Sequence, residues 1–248
     1  MRLLRNILFL ILILVSTVAN AQVGAHRNDF SVGVSGGYTL NKVSFNPSIK
    51  QKFKGAPEFG FAARYICEKY FTSICGVQLE VNYQNLGWTE DIEDIKTGTG
   101  EETVYTLKDN KYTRDLQCLE VPVMMQMGWG YERKGCKFIF EAGPYLQYFF
   151  SSKETYSGDP WDPSHRPNSV NYQYGMALDH KVAYGIKAGL GLEYSSPIGH
   201  FILHGRYCYG LGDMFDNSKK GKFGRSANGT IEVKLTYLFD IIKTKLDK

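Results

Sequence analysis

The sequence predicts an all-β fold, an eight-stranded antiparallel up-and-down transmembrane β-barrel with four longer loops at the outer end. Three observations predict it. Apolar and polar residues alternate with period two over eight segments. Several segments run past the usual strand length of about six residues, to or beyond the roughly 9–11 that a tilted membrane-spanning strand needs. The links between segments alternate short and long without exception.

A leader precedes the barrel. Met1 to Ala21 has a basic start (Arg2, Arg5), an apolar run (Ile7 to Val15) and Ala-Asn-Ala at Ala19 to Ala21. These are the parts of a secretory signal peptide, with cleavage expected before Gln22. The apolar run is too short to span a bilayer as a helix, and no later run approaches the ~20 residues required. Residues 1–21 are therefore read as the signal peptide and 22–29 as an N-terminal periplasmic segment. Residues 30–239 are read as the barrel and 240–248 as a C-terminal periplasmic tail. No Cys follows the cut, which argues against a lipid anchor.

The strands are read at Phe30–Phe45, Pro57–Cys67, Ser73–Thr89, Tyr112–Trp129, Cys136–Phe150, Ala177–Ser195, His200–Leu211 and Ala227–Phe239. The second, fourth and sixth links are short: Glu68–Thr72, Gly130–Gly135 and Ser196–Gly199. The last reads Ser-Pro-Ile-Gly and suits a type I turn. The first, third, fifth and seventh are longer and polar: Asn46–Ala56, Glu90–Lys111, Ser151–Met176 and Gly212–Ser226. Short links at one end and long ones at the other are the arrangement of bacterial outer-membrane barrels, with both termini on the periplasmic side.

The faces follow from parity. In the last strand Ile231, Val233, Leu235, Tyr237 and Phe239 oppose Thr230, Glu232, Lys234 and Thr236. In the sixth, Val182, Tyr184, Ile186, Leu190 and Leu192 oppose Lys181, Ala183, Gly185, Lys187, Gly189, Gly191 and Glu193. In the second, Phe59, Phe61, Ala63 and Tyr65 oppose Gly60, Ala62 and Arg64. A membrane barrel turns the apolar face outwards, and its narrow interior suits the small residues opposite. Trp129, Tyr194, Tyr237 and Phe239 lie near strand ends, where interfacial aromatics sit. In the fourth strand Leu119, Val121, Val123, Met125, Met127 and Trp129 then face lipid. Glu120, Met124, Gln126 and Gly128 face the lumen, together with Pro122, which is expected to mark a bulge or bend.

Composition excludes several classes. The chain has 29 basic and 25 acidic residues. With Arg2 and Arg5 in the leader the remainder is close to neutral, so nucleic acid is not an expected partner. The 17 tyrosines, 15 phenylalanines and 26 glycines suit strands and tight turns. The cysteines are Cys67, Cys75, Cys118, Cys136 and Cys208. An odd count, with no Cys-x-x-Cys and no Cys/His cluster, argues against a full disulfide framework and against zinc. Cys67 and Cys75 fall opposite each other across the short second link, which permits a bridge if their Cα atoms lie within about 6.8 Å. The competing reading is that all five are small packing residues.

Several strands resemble a known family. Tyr112 to Met127, "YTRDLQCLEVPVMMQM", is similar to the Y-x-x-L-x-Y-L-E-I-P strand of the PorT-like outer-membrane β-barrel proteins of Bacteroidetes. "FEAGPYLQYFF" at Phe140 resembles that family's E-A-G-P-Y strand. "DFSVGVSGGYTLNKV", "GVQLEVNYQNLGW", "KAGLGLEYSSPIG" and "LHGRYCYGLGDMFD" fall in the expected order over most of the mature chain. Phe239 is followed by Asp240 to Lys248, where many such barrels end on a terminal aromatic. The resemblance implies an outer-membrane barrel. The family's namesake is linked to protein secretion, but the resemblance does not transfer that task.

The lumen face carries Glu80, Glu120, Glu141, Glu193 and Glu232 against Arg64, Lys187, Arg206 and Lys234, with His204 nearby. Eight strands leave room for side chains and little more, so this nearly balanced set reads as a charge-paired plug. An ion path or buried acid/base site is the functional alternative. No catalytic, cofactor or metal residue is assigned. Asp179–His180 lies at the outer end of the sixth strand, with no His-x-Ser spacing around it. Asp91, Glu93 and Asp94 lack the order of an EF-hand. The fifth link, Pro-rich with Trp161 and His165, reads as a rigid surface loop.

The expected function is thus a non-enzymatic membrane-embedded scaffold or surface interaction protein in contact with outer-membrane lipids. An envelope-assembly or secretion-system protein is the partner class considered. The alternatives are an outer-membrane lipid- or peptide-modifying enzyme, and a soluble periplasmic ligand-binding barrel with Phe59, Phe61, Leu190 and Leu235 turned inward.

Overall fold

The computed structural model describes residues 24–90, 95–97, 103–105, 111–157, 172–218 and 221–244. The leader, Asp91, Glu93, Asp94, Trp161 and His165 lie outside the described residues. The strands are β1 (Ala25–Asn46), β2 (Gln51–Lys52), β3 (Lys54–Tyr70), β4 (Ser73–Glu90), β5 (Ile95–Thr97), β6 (Thr103–Tyr105), β7 (Lys111–Gly130), β8 (Gly135–Ser157), β9 (Val182–Ser196), β10 (Gly199–Gly210) and β11 (Arg225–Ile242). Eight of them form a ring in the order β4-β3-β1-β11-β10-β9-β8-β7, and β7 pairs back onto β4. Neighbours are antiparallel throughout. At the closing seam Phe30 lies opposite Ile242 and Asn46 opposite Arg225. Closure removes free sheet edges, which a strand structure needs in hydrocarbon. The short β2 adds to the end of β4, and β5 with β6 makes a separate small hairpin in the third link.

The alternation resolves as the membrane reading requires. Phe61 is 71% exposed, Leu192 60% and Val233 53%, whereas Glu120, Glu141 and Glu232 are fully buried. Phe59, Leu190 and Leu235 also face out, which overturns the soluble-barrel alternative. A water-soluble protein does not expose a continuous apolar belt of this size. Hydrocarbon is the solvent that fits it.

Glycines make the narrow interior buildable at two places. A Cβ at Gly189 would meet the carbonyl oxygen of Gly205 at 2.4 Å and Cγ of Arg206 at 2.7 Å, so glycine lets the Arg206 side chain cross. A Cβ at Gly143 would lie 1.9 Å from the carbonyl oxygen of Val123, so β8 approaches β7 closely beside Pro122.

Several boundaries differ from the sequence reading. β1 starts at Ala25, with His26 paired to Glu68, so residues 25–29 are part of the sheet. β11 continues to Ile242. β9 starts at Val182, because the N–H groups of Asp179 and His180 donate to the carbonyl of Met214 at 3.2 and 3.1 Å. Pro122 points inward but marks no bulge: the β7–β8 register is the same at Pro122–Tyr145 and at Met125–Ala142. The irregularity comes instead at Gln117/Cys118, where Phe150 is the extra residue on β8.

A second bulge corrects the proposed disulfide. The β3–β4 ladder steps from Ile66–Gly76 to Glu68–Cys75, so Cys67 is the inserted residue and Cys75 faces Glu68. The Cys67 thiol donates to the Cys75 carbonyl at 3.4 Å, and all five cysteines are free.

Candidate functional site

The interior is built from alternate residues of the ring strands, which bring nine sequence-predicted charges to one axis. Arg206 on β10 is central. Its guanidinium reaches Glu141 at 2.6 Å, Glu80 at 2.8 Å and Glu232 at 3.2 Å. Lys187 on β9 lies 2.5 Å from Glu120 and 2.6 Å from Glu232. Lys234 on β11 reaches Glu80 at 2.5 Å. Arg64 on β3 pairs with Glu193 at 2.7 Å. His204 Nδ1 lies 2.8 Å from Glu141.

Sequence reasoning missed two members. Glu58 pairs with Lys234 at 3.0 Å, and Lys137 with Glu193 at 3.1 Å. Both share the parity of known interior residues, Glu58 with Arg64 and Lys137 with Glu141, so the signal was present. Amides complete the lattice: Gln126 donates to Glu141 at 2.9 Å, and Gln147 to Glu120 at 3.0 Å. Removing one partner of such a pair strands a buried charge, at a cost of about 3–5 kcal/mol. Two small voids, beside Arg64 and beside His200, are each about 10 Å³, room for about one water.

At the end carrying the termini, Ser195, His200 and Asp240 come together. Ser195 Oγ lies 3.0 Å from His200 Nδ1, and His200 Nε2 lies 3.0 Å from Asp240. The spacing resembles a hydrolase triad, but the chemistry does not follow. Glu193 approaches the same Nδ1 more closely, at 2.7 Å. A carboxylate thus faces each ring nitrogen, and Glu193, not the serine, is the nearest partner of Nδ1. The turn Tyr131–Lys134 closes this mouth. Glu132 accepts from Arg27 at 2.5 Å and from Lys69 at 2.8 Å, and Arg133 donates to the carbonyl of Thr244. Burial alone would raise the Glu132 carboxyl; the hydrogen bonds from Arg27 and Lys69 outweigh it and hold the group down at about 2.

The long-loop end is sealed differently, by an apolar cluster that includes Phe45, Trp88, Tyr112, Phe149, Phe215 and Phe223. Phe45 meets Trp88 edge-on at 5.0 Å and Phe223 at 5.1 Å. Ser226 docks the seventh link here, accepting from the N–H of Met214 and Phe215 at 3.1 and 2.9 Å. Arg114 lies over Trp88 and Phe215, each at 5.8 Å, and donates to Ser152, Glu154 and the carbonyls of Gln173 and Met176. Nothing in the sequence periodicity marks these strand-end and loop residues as one core. Asp179 and His180 are exposed at this rim, and Asp179 accepts from the N–H of Asp216 at 2.8 Å. Among the described residues no cluster of His, Cys or acidic side chains is arranged to hold a metal ion.

A closed barrel with an apolar exterior and a charge-filled interior defines a class, the small transmembrane β-barrels. The chain belongs to the outer membrane protein beta-barrel domain family, whose family model matches residues 20–216, and that family places it in the bacterial outer membrane. Among solved structures it is similar to neisserial surface protein A (NspA), with 10% identity, 85% of this chain and 96% of that one covered, and a TM-score of 0.42. It is similar to OprG of Pseudomonas aeruginosa, with 12% identity, 88% and 95% covered, and a TM-score of 0.42. It is also similar to the outer membrane enzyme PagL, with 13% identity, 84% and 98% covered, and a TM-score of 0.39. At these identities the likeness is one of fold. No match to a curated protein accompanies the family match.

Proposed function

We propose that the protein is a non-enzymatic outer-membrane barrel that acts as a scaffold or surface interaction protein. It is exported by the leader at residues 1–21 and sits with both termini in the periplasm. The observation that carries this reading is the cap. Residues far apart in sequence, Phe45 and Trp88 from strand ends and Phe215 and Phe223 from the seventh link, are packed over the long-loop mouth. Loops tied to a common core present a pre-formed surface, which suits recognition better than passage. The paired interior supports the same reading, since its charges are matched to one another and fill the lumen. The strand motifs at Tyr112–Met127 and Phe140–Phe150 support a place among the PorT-like barrels of Bacteroidetes, with an envelope-assembly or secretion protein as partner.

The test is site-specific photo-crosslinking in intact cells. A crosslinker at Ser218 or Lys222, on the long-loop end, is expected to capture a discrete partner protein, and one at Ile198, on the opposite turn, is not. Hydrolysis of lipid A or peptide by the purified barrel, abolished by His180→Ala, would overturn the reading in favour of an enzyme.

A further inference from the structure

We infer that the rim between β8 and β9 holds a binding site for one anionic amphiphile, a hydrocarbon chain carrying a phosphate or carboxylate. The inference goes beyond the proposed interaction role and does not depend on it.

The site arises from how the strand pairing ends. β8 pairs with β9 up to Tyr148–Val182, while its pairing with β7 continues to Ser157. Beyond Tyr148 the chain beside β8 is the segment Gly175–Lys181. One bond, from Phe149 N–H to the carbonyl of Lys181 at 2.8 Å, holds it at the base. Higher up, the segment is pulled two ways. Arg114 holds the carbonyls of Gln173 and Met176 on the β7–β8 side. The Met214 carbonyl draws Asp179 and His180 towards the seventh link. Between these anchors a groove of about 400 Å³ opens, within the range of small-molecule sites.

Its lining selects the ligand. Phe149, Phe150, Met176 and Leu178 supply apolar walls, and Phe150 itself is 48% exposed at the top of the lipid-facing row that includes Leu146 and Tyr148. A hydrocarbon chain lying along that row reaches the groove without crossing water. The charges sort themselves. Arg114 and Glu154 neutralise each other at 2.5 Å. Lys181 is exposed, and its ammonium group has no partner among the described residues. One unpaired cation above an apolar floor complements one anion with an apolar tail. An ammonium beside the membrane surface attracts anionic headgroups.

Native mass spectrometry tests this on the full mature chain released from phosphatidylcholine nanodiscs doped with phosphatidylglycerol. The expected result is one phosphatidylglycerol retained per barrel and no phosphatidylcholine. Lys181→Glu reverses the cation without touching packing and should reduce retention about tenfold, the equivalent of one charge contact. Ala177→Trp fills the groove and should abolish retention while the barrel stays folded by circular dichroism. Dodecyl phosphate added to undoped discs distinguishes the source. If it binds and phosphatidylglycerol does not, the ligand is a free single-chain amphiphile; if both bind, bilayer lipid suffices. Equal retention of the two phospholipids, retention unchanged in both variants, or competition by inorganic phosphate alone would overturn the inference.

Discussion

Arg206 Nη2 lies 2.8 Å from Glu80 Oε1, and this contact joins β10 to β4, opposite walls of the eight-strand ring. Local pairing links each strand only to its neighbours. A guanidinium spanning the lumen fixes the cross-section as well. Arg206→Met should therefore destabilise the barrel by at least about 3 kcal/mol, because Glu80, Glu141 and Glu232 lose a shared cation. Urea unfolding in detergent micelles measures it. Arg206→Lys should recover part of the loss, since an ammonium supplies charge without the bidentate fork. An unchanged midpoint for Arg206→Met would show that the network contributes nothing to stability.

Val233 and Thr236 on β11 distinguish the two faces. Val233 is 53% exposed in the apolar belt, and Thr236 is fully buried inside. Val233→Arg puts a charge in hydrocarbon at a cost of roughly 2–4 kcal/mol. Reduced yield of folded barrel in liposomes is the expected outcome. Thr236→Arg should act only through crowding, so its effect should not vary with bilayer thickness. Equal insertion of Val233→Arg and wild type would contradict the lipid-facing assignment.

The pure protein should show no stable conductance in planar bilayers. An ion would have to pass both the paired charges around Arg206 and the apolar cap around Trp88. Discrete, long-lived openings would mean that one of these layers moves.

Much of this was legible from parity. Arg64, Lys187, Arg206 and Lys234 could be placed inside because residues two apart share a face and their strands are otherwise apolar on the other face. What period two cannot show is where the count slips. The bulges at Cys67 and Phe150 each insert one residue, so face assignments beyond them reverse. Beyond Phe150 the polar run hides the strand, so Ser152 and Glu154 belong to β8 although the sequence predicts a loop there. The cap was illegible for another reason. Phe45, Trp88, Phe215 and Phe223 come from a strand end, another strand end and a loop, and only the closed ring brings them together. Pairing across the lumen, such as Glu193 on β9 with Arg64 on β3, likewise depends on the stagger of the strands.

The thiols give a direct check of the Cys67 bulge. Unreduced, denatured protein should show five reactive thiols, since Cys75 faces Glu68 rather than Cys67. In the folded protein Cys136, exposed at the start of β8, should react first, and the buried Cys118 and Cys208 last. A count of three after denaturation would restore the bridge and place the register shift elsewhere.

The mouth at the termini should loosen in acid. Glu132 is held at about 2, against an ordinary 4.5, by Arg27 and Lys69. Between those values the unfolded chain binds a proton that the folded turn does not, so stability rises with pH through that window. The contribution is fully present above about pH 5 and fades as pH falls towards 2. Its size is of order 1 kcal/mol, because the group is partly open to solvent screening. Glu132→Gln should flatten the dependence of the unfolding midpoint between pH 5 and pH 2, and leave the midpoint at pH 7 lower than wild type by a similar amount. Amide exchange at Tyr131 to Lys134 should accelerate over the same window in wild type. A wild-type profile that runs parallel to that of Glu132→Gln would mean that Arg27 and Lys69 do not hold the turn in place.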